Sequence, residues 1–364
     1  MRPVARLAPL LLIVGAWLGG CGTPAPLPPD TTAPVAAPAP APAPDDGPSP
    51  WPQAAGEVLG RSDRLLIYRP RAGDLLAAVT ARFLGQTDRQ WQIAEANALP
   101  PGTTWLAAGQ PLIVPLKPLN PIGVHATDFQ TVPILCYHRF GNGNSKMLMS
   151  PGNFAQQLEW LARNGYTVIR LPQLLGFLAG HEPLPQKTVV ITIDDGYESV
   201  HRHAFPLLKK YGFPATLFVY TDFIGTGDGL SWAQLLEMAN SGLVDIQAHS
   251  KTHRNLVERL PGESEERYRQ NIEAELRVPR ELLERRLAPA RVQVRQFAYP
   301  FGDASEVVLD AMARQQYQLG VTVYPGGNGF FAQPTMLRRT MIFGDLDLEG
   351  FKSKLQVSRS VSAP

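Results

Sequence analysis

Six apolar runs of strand character constrain this chain more than anything else in it. They are Val132–Tyr137, Val189–Ile193, Ala215–Tyr220, Val244–Ala248, Val294–Ala298 and Leu319–Val323, and they alternate with stretches of helical spacing near 151–163, 198–210, 231–240, 263–287 and 303–316. Such alternation implies an α/β fold with parallel strands, either an open sheet or a closed barrel; periodicity does not separate the two. Pro279 should kink or divide the helix it interrupts.

The second run ends in chemistry. Val189–Gly196 reads VVITIDDG, so a buried strand delivers two adjacent carboxylates, Asp194 and Asp195, onto a glycine turn. In α/β sheets and barrels ligands bind at the carboxyl ends of the strands, where these aspartates sit. Neighbouring side chains on a strand point to opposite faces, so the pair can divide its work only where the strand breaks, and Gly196 permits that break. One metal ligand and one base is the division expected. After the run VDIQA comes His249-Ser-Lys-Thr-His253, an i, i+4 histidine pair that one helical turn would aim at a single point. Two imidazoles and one carboxylate suit a divalent metal and leave positions open for water and substrate, as a catalytic site requires.

These residues resemble the polysaccharide deacetylase family, carbohydrate esterase family 4, whose catalytic unit is the NodB homology domain. TIDDG resembles its first motif, which implies Asp194 as general base and Asp195 as metal ligand. HSKTH resembles the second, which implies His249 and His253 as the other ligands. Arg295 followed by FAYPFG resembles the third, which implies that Arg295 orients the base and that the Tyr299 backbone N–H helps to bind the oxyanion. The resemblance further implies a distorted (β/α) barrel, zinc as the divalent metal, and hydrolysis of N-acetyl groups on a polymer of N-acetylglucosamine. The late histidine that many members use as general acid is absent, since no histidine follows His253. His138, in LCYHRF at the carboxyl end of the first run, takes that role by elimination, and a YH pair there resembles the subgroup of poly-N-acetylglucosamine deacetylases. His125, His181, His201 and His203 read as surface residues and Trp232 as part of a core helix. Arg339 is a candidate for charge balance at the site that spacing alone does not place.

The sequence before this region divides into segments. Residues 1–20 carry Arg2 and Arg6 and then an apolar run, Leu7 to Leu18, too short to span a bilayer stably, as in a secretion signal. Leu18-Gly19-Gly20-Cys21 resembles the lipobox of bacterial lipoproteins, which implies a lipid on Cys21 and, in a Gram-negative host, release to the outer membrane because Gly22 is not aspartate. Residues 21–60 read as a Pro/Ala-rich tether that cannot bury a core. Residues 61–117 read as a separate strand–helix–helix–strand unit, with Leu75, Leu76, Val79 and Phe83 on one helical face and Asp74 near the helix start. Its Tyr68, Gly73-Asp74, Ile93, Asn97 and Gly109–Leu112 closure resemble a LysM module, which implies binding to N-acetylglucosamine glycans, peptidoglycan included. Residues 118–130 read as a linker, 131–350 as the catalytic domain and 351–364 as a tail. Without Arg2 and Arg6 the 34 basic residues fall to 32, equal to the 32 acidic ones, so no nucleic-acid partner follows from charge. Cys21 and Cys136 lie in unlike surroundings, and no disulfide is expected. The expected whole is a lipid-anchored envelope deacetylase; a non-catalytic wall-binding lipoprotein is the alternative, supported by the missing late histidine.

Overall fold

A computed structural model describes residues 54–143 and 145–361. The leader, Cys21 and nearly all of the tether lie outside the described residues. The described residues all fall in one compact unit.

The unit opens with a small three-stranded sheet, β1 (Glu57–Arg61), β2 (Leu65–Arg69) and β3 (Leu112–Pro115), in which β2 is central and both pairings are antiparallel. Between β2 and β3 lie α1 (Leu76–Leu84) and α2 (Gln90–Ala96), whose Leu76, Val79 and Ile93 pack with Leu66, Tyr68 and Val114 in a core of their own. The expected strand–helix–helix–strand order is present, with β1 added from within the stretch read as tether. Every residue of β1 is exposed, so it carries no apolar alternation to betray it. Asp74 does not cap α1. It is buried and accepts hydrogen bonds from the Tyr68 hydroxyl (2.7 Å) and the Ala55, Gly56 and Arg71 N–H groups, tying the start of β1 to the end of β2.

The larger part is a parallel sheet wrapped in helices. β4 (Asp128–Gln130) leads into β5 (Val132–Tyr137); then come the paired short strands β6 (Arg139–Phe140) and β7 (Leu148–Met149), α3 (Pro151–Arg163), β8 (Thr167–Ile169), α4 (Leu174–Leu178) and β9 (Thr188–Ile193). α5 (Phe205–Tyr211), β10 (Ala215–Val219), α6 (Trp232–Asn240), β11 (Val244–Ala248), α7 (Glu265–Arg286), β12 (Gln296–Ala298), α8 (Glu306–Arg314) and β13 (Leu319–Val321) follow. The strand order is β13-β12-β11-β10-β9-β5, all parallel, and β8 pairs with the start of β9. An antiparallel strand β14 (Gly327–Asn328) meets the start of β5. The sheet then curls onto itself through one segment: Leu337 bridges to Val321 of β13, while β15 (Thr340–Met341) pairs in parallel with β5. Periodicity left sheet and barrel open; this segment curls the sheet into a half-barrel.

Apolar side chains fill both faces. β5, β9 and β10 are buried along their whole length, as strands covered on both sides must be. α7 continues through Pro279 undivided. Trp232 opens α6 against the core, with the Arg286 guanidinium 4.8 Å above its ring. The chain end is more ordered than a tail: α9 (Leu348–Ser353) buries Phe351, and β16 (Ser358–Ser360) pairs with β4, which lies inside the expected linker. Both strands are three residues long, below what alternation can signal. Cys136 is a free, buried thiol.

Candidate active site

The carboxyl ends of β5, β9, β11 and β12 meet on one rim of the barrel. In-register pairing sets Tyr137 beside Ile193, and the Asp194 N–H donates to the Tyr137 carbonyl (2.9 Å), so His138 and Asp194 leave adjacent strands side by side. The chain then turns in the left-handed region at Asp195 (φ 73°) and Gly196 (φ 88°). The break therefore begins at Asp195 itself, a residue type that tolerates this conformation. Gly196 is required for a second reason, because a Cβ there would lie 2.8 Å from Val219 Cγ1. This turn sends the two carboxylates apart as expected.

Asp195 Oδ1 lies 3.5 Å from His249 Nε2 and 3.3 Å from His253 Nε2. One ligand atom from each of the three residues lies within 4.8 Å of the others, the arrangement a metal ion would draw together. His249 Nδ1 is 2.7 Å from the Ala298 carbonyl, which fixes the ring and leaves Nε2 for a metal. The donor set, two imidazoles and a carboxylate, is that of an open catalytic divalent-metal site. Burial works against the charged form of both partners. The imidazoles beside Asp195 nevertheless hold its carboxyl well below the usual range, and the carboxylates raise the His249 pKa.

The histidine motif is not helical, a correction to the reading from its spacing. Ser250 (φ 69°) and His253 (φ 64°) are both left-handed, which no helical turn accommodates. The loop is held instead by Ser250 Oγ, which accepts from the His253 N–H (2.9 Å), and by the carboxylate of Glu275 on α7. That carboxylate accepts from the Lys251 and Thr252 N–H groups (both 2.9 Å) and the Thr252 hydroxyl (2.8 Å). Glu275 carried no signal in the sequence beyond being a glutamate on the buried face of a long helix.

Asp194 turns into the barrel, where Arg339 grips it in a two-pronged ion pair, Nη1 to Oδ1 and Nη2 to Oδ2, both 2.7 Å. Neither side chain has appreciable access to water. Burial alone would raise the Asp194 pKa; the Arg339 charge outweighs it and holds the carboxyl below its ordinary value. Arg339 is itself anchored by the Thr322 carbonyl (2.8 Å) and the Thr192 hydroxyl (3.2 Å). Each carboxylate oxygen has a second lone pair, so Oδ2, 4.0 Å from His249 Nε2, can still face the metal cluster.

Two expected site residues are corrected by this geometry. Arg295 precedes β12 and so lies at the opposite end of the strand from the rim. Its guanidinium binds Glu284 (3.0 Å) and Gln293 (3.2 Å), and it is Arg339, from the closing segment, that pairs with Asp194. The Tyr299 N–H is spent on the Val321 carbonyl (3.2 Å) in continuation of the β12–β13 ladder, and its hydroxyl donates to the Thr335 carbonyl (2.6 Å), so Tyr299 offers no free backbone donor. His138 is brought to the site. Burial lowers its pKa, Asp194 and Asp195 oppose that, and it lines an open groove of about 490 Å³ with Asp195, Tyr197 and Phe140. Cys136 Sγ stands 3.5 Å from Asp194 Oδ2. Around His253 the rim is aromatic: the Tyr220 ring lies 5.0 Å away and the Phe301 ring, 59% exposed, 5.1 Å. Of the other histidines, His201 pairs with Glu237 on the outer surface (2.9 Å), as expected of a surface residue.

Residues 181–320 match the family model described as polysaccharide deacetylase. A putative polysaccharide deacetylase, YxkH, of Bacillus subtilis is 32% identical over 195 residues, covering 54% of this chain and 65% of that protein. The poly-β-1,6-N-acetyl-D-glucosamine N-deacetylase of Escherichia coli K12 is 25% identical over 234 residues, 55% of this chain and 34% of that one. The chain thus spans less than two thirds of either relative. Among solved structures, the Streptococcus pyogenes deacetylase PplD in complex with acetate superposes with a TM-score of 0.54 at 26% identity, covering 62% of this chain and 98% of that one. His138 and Arg339 fall outside the matched residues, one on each side, yet the barrel delivers both to the same rim. Residues 181–320 are therefore similar in sequence, and the surrounding fold in structure, to the polysaccharide deacetylases, hydrolases that act on amide bonds.

Proposed function

We propose that this protein is a metal-dependent N-deacetylase of an N-acetylglucosamine-containing polysaccharide, working in the cell envelope. The observation that carries the reading is the meeting of Asp195, His249 and His253 beside the Arg339-held Asp194 on one rim. A divalent ion held by the three ligands would polarise the acetamide carbonyl and acidify the attacking water; the donor type allows zinc, cobalt, nickel or iron, and zinc is the one the family resemblance favours. Asp194 then accepts the water proton, and Arg339 fixes the direction of its lone pairs. His138, beside Asp194 at the end of β5, donates a proton to the departing amine, which leaves poorly as an anion. The aromatic rim around His253 and Tyr197 offers faces for a pyranose ring. An exported poly-β-1,6-N-acetylglucosamine is the favoured substrate because the E. coli relative bears that name, with peptidoglycan as the competitor. The small domain is read as a LysM-type glycan binder and Cys21 as a lipid anchor.

The test is acetate release from poly-β-1,6-N-acetylglucosamine, chitin oligomers and peptidoglycan, with chelator and with added zinc. Release that chelator abolishes and metal restores supports the reading; no release from any of the three by metal-loaded protein would instead favour a wall-binding protein. Variants divide the roles. Asp195→Ala, His249→Ala and His253→Ala should lose metal and turnover together, whereas Asp194→Asn should keep the metal and lose turnover. Metal analysis of the purified variants checks this, and loss of metal from Asp194→Asn would overturn the division.

A further inference from the structure

Cys136 has no role in the proposed reaction, yet it stands inside the site. Successive residues on a strand face opposite ways, so Cys136 and His138, two apart at the end of β5, point to the same side. Register sets Cys136 beside Thr192 of β9, and two residues beyond Thr192 the same side carries Asp194. The three converge: Cys136 Sγ, a ring nitrogen of His138 and a carboxylate oxygen of Asp194 all lie within 4.8 Å of one another. Among the described residues two groups of this kind occur, and this one alone contains sulfur. Cys136 and Asp194 are buried, while His138 opens onto the groove that it shares with Asp195.

The spacing suits a bound ion. Zinc binds sulfur at about 2.3 Å and carboxylate oxygen at about 2.0 Å, and a tetrahedral angle between those bonds sets the two atoms about 3.5 Å apart. Cys136 Sγ and Asp194 Oδ2 are 3.5 Å apart. Arg339 takes one lone pair on each Asp194 oxygen, so Oδ2 keeps a second for the ion. The geometry points to a second divalent-metal site, Cys136, His138 and Asp194, beside the Asp195, His249 and His253 group and selective for thiophilic ions such as zinc, cobalt and cadmium. The ion takes the place of the thiol proton, which leaves to solvent through the groove. Arg339, 2.7 Å from the same carboxylate oxygen, repels a cation there, so this is the weaker site and fills only when metal is in excess. A second ion would occupy the lone pairs of Asp194 and His138 and so silence the centre that the first one activates. That consequence, unlike the binding itself, rests on the reading of these two residues as base and acid.

Cobalt titration of the full chain tests the site, with Cys21→Ser throughout so that Cys136 is the only thiol. A thiolate bound to cobalt gives a near-ultraviolet charge-transfer band that imidazole and carboxylate ligands do not. The band should appear as the second equivalent is added, vanish in Cys136→Ser, and persist in Asp195→Ala, where the first site is disabled. Metal analysis in excess zinc should find about two ions per chain and about one in Cys136→Ser, whose intact first site shows that the variant is folded. Acetate release should rise with the first equivalent of zinc and fall about 100-fold or more with the second, since loss of general-acid help alone costs about 10²–10⁴. In Cys136→Ser it should rise and stay level. No band at excess cobalt, or a band that survives Cys136→Ser, would overturn the site, and equal loss of acetate release in both proteins would overturn the silencing. Failure of the deacetylase reading would appear separately, as a protein that shows the band and releases no acetate at any zinc level.

Discussion

Asp194 and Arg339 form an ion pair closed off from water, and such pairs are costly to break by halves. Removing one partner leaves an uncompensated buried charge, at about 3–5 kcal/mol. Arg339→Met should therefore lower the unfolding temperature sharply and abolish turnover. Adding Asp194→Asn should recover much of the stability and none of the activity, which thermal unfolding and acetate release measure together. The folded-state pKa of Asp194 is depressed, so the pair's contribution is present above the ordinary carboxylate value and is lost as pH falls through the lowered one. His138 is separable by choice of leaving group. Loss of general-acid help costs a factor of about 10²–10⁴, so His138→Ala should fall by that much on an N-acetyl glycan. On an aryl acetate, whose phenolate departs unaided, the loss should be much smaller. Equal losses on both substrates, or loss of metal, would make His138 a structural residue. In the sequence Asp194, Asp195, His249, His253 and His138 were all legible, because each follows a strongly apolar strand. Arg339 was legible only as a candidate for charge balance: it sits in LRRTMIF, where two arginines interrupt an apolar run, and nothing local says which charge points inward to meet a carboxylate 145 residues away.

At the scale of elements, the long buried strands and amphipathic helices were readable to within a few residues, and the short pieces were not. β8, β14, β15 and β16 have two or three residues each, and their pairing is decided by partners distant in the chain. The histidine loop shows how spacing can mislead. An i, i+4 pair fits a helix, yet the same convergence is reached here by two left-handed residues and a glutamate from α7. Glu275 should then behave as a support of the metal ligands although it touches neither imidazole. Glu275→Gln keeps the size but weakens the acceptor, and groups that orient ligands in this way typically govern about 10–100-fold in metal affinity. Zinc titration with a competing chelator should show a loss in that range with the fold intact by circular dichroism. Unchanged affinity would mean that the loop holds its shape without Glu275. The Tyr299 correction has the same origin as the missed short strands: whether a backbone N–H is free depends on where the next strand lies, and the pattern FAYPFG does not contain β13.

For the whole molecule, the proposed tether and anchor would set where the chemistry happens. If Cys21 carries lipid, Cys21→Ser should shift the protein from the detergent phase to the aqueous phase and remove labelling by a fatty-acid analogue; wild-type protein that takes up no label would return Leu7–Cys21 to an ordinary secretion signal. The closing segment also sets an order of events. Leu337–Met341 is among the last parts of the domain to leave the ribosome, and the same few residues both curl the sheet and bring Arg339 to Asp194. Until that segment is seated, the chain could gather Asp195, His249 and His253 while Asp194 still lacked its ion-pair partner. The proposed catalytic centre would thus be complete only once this late segment has docked.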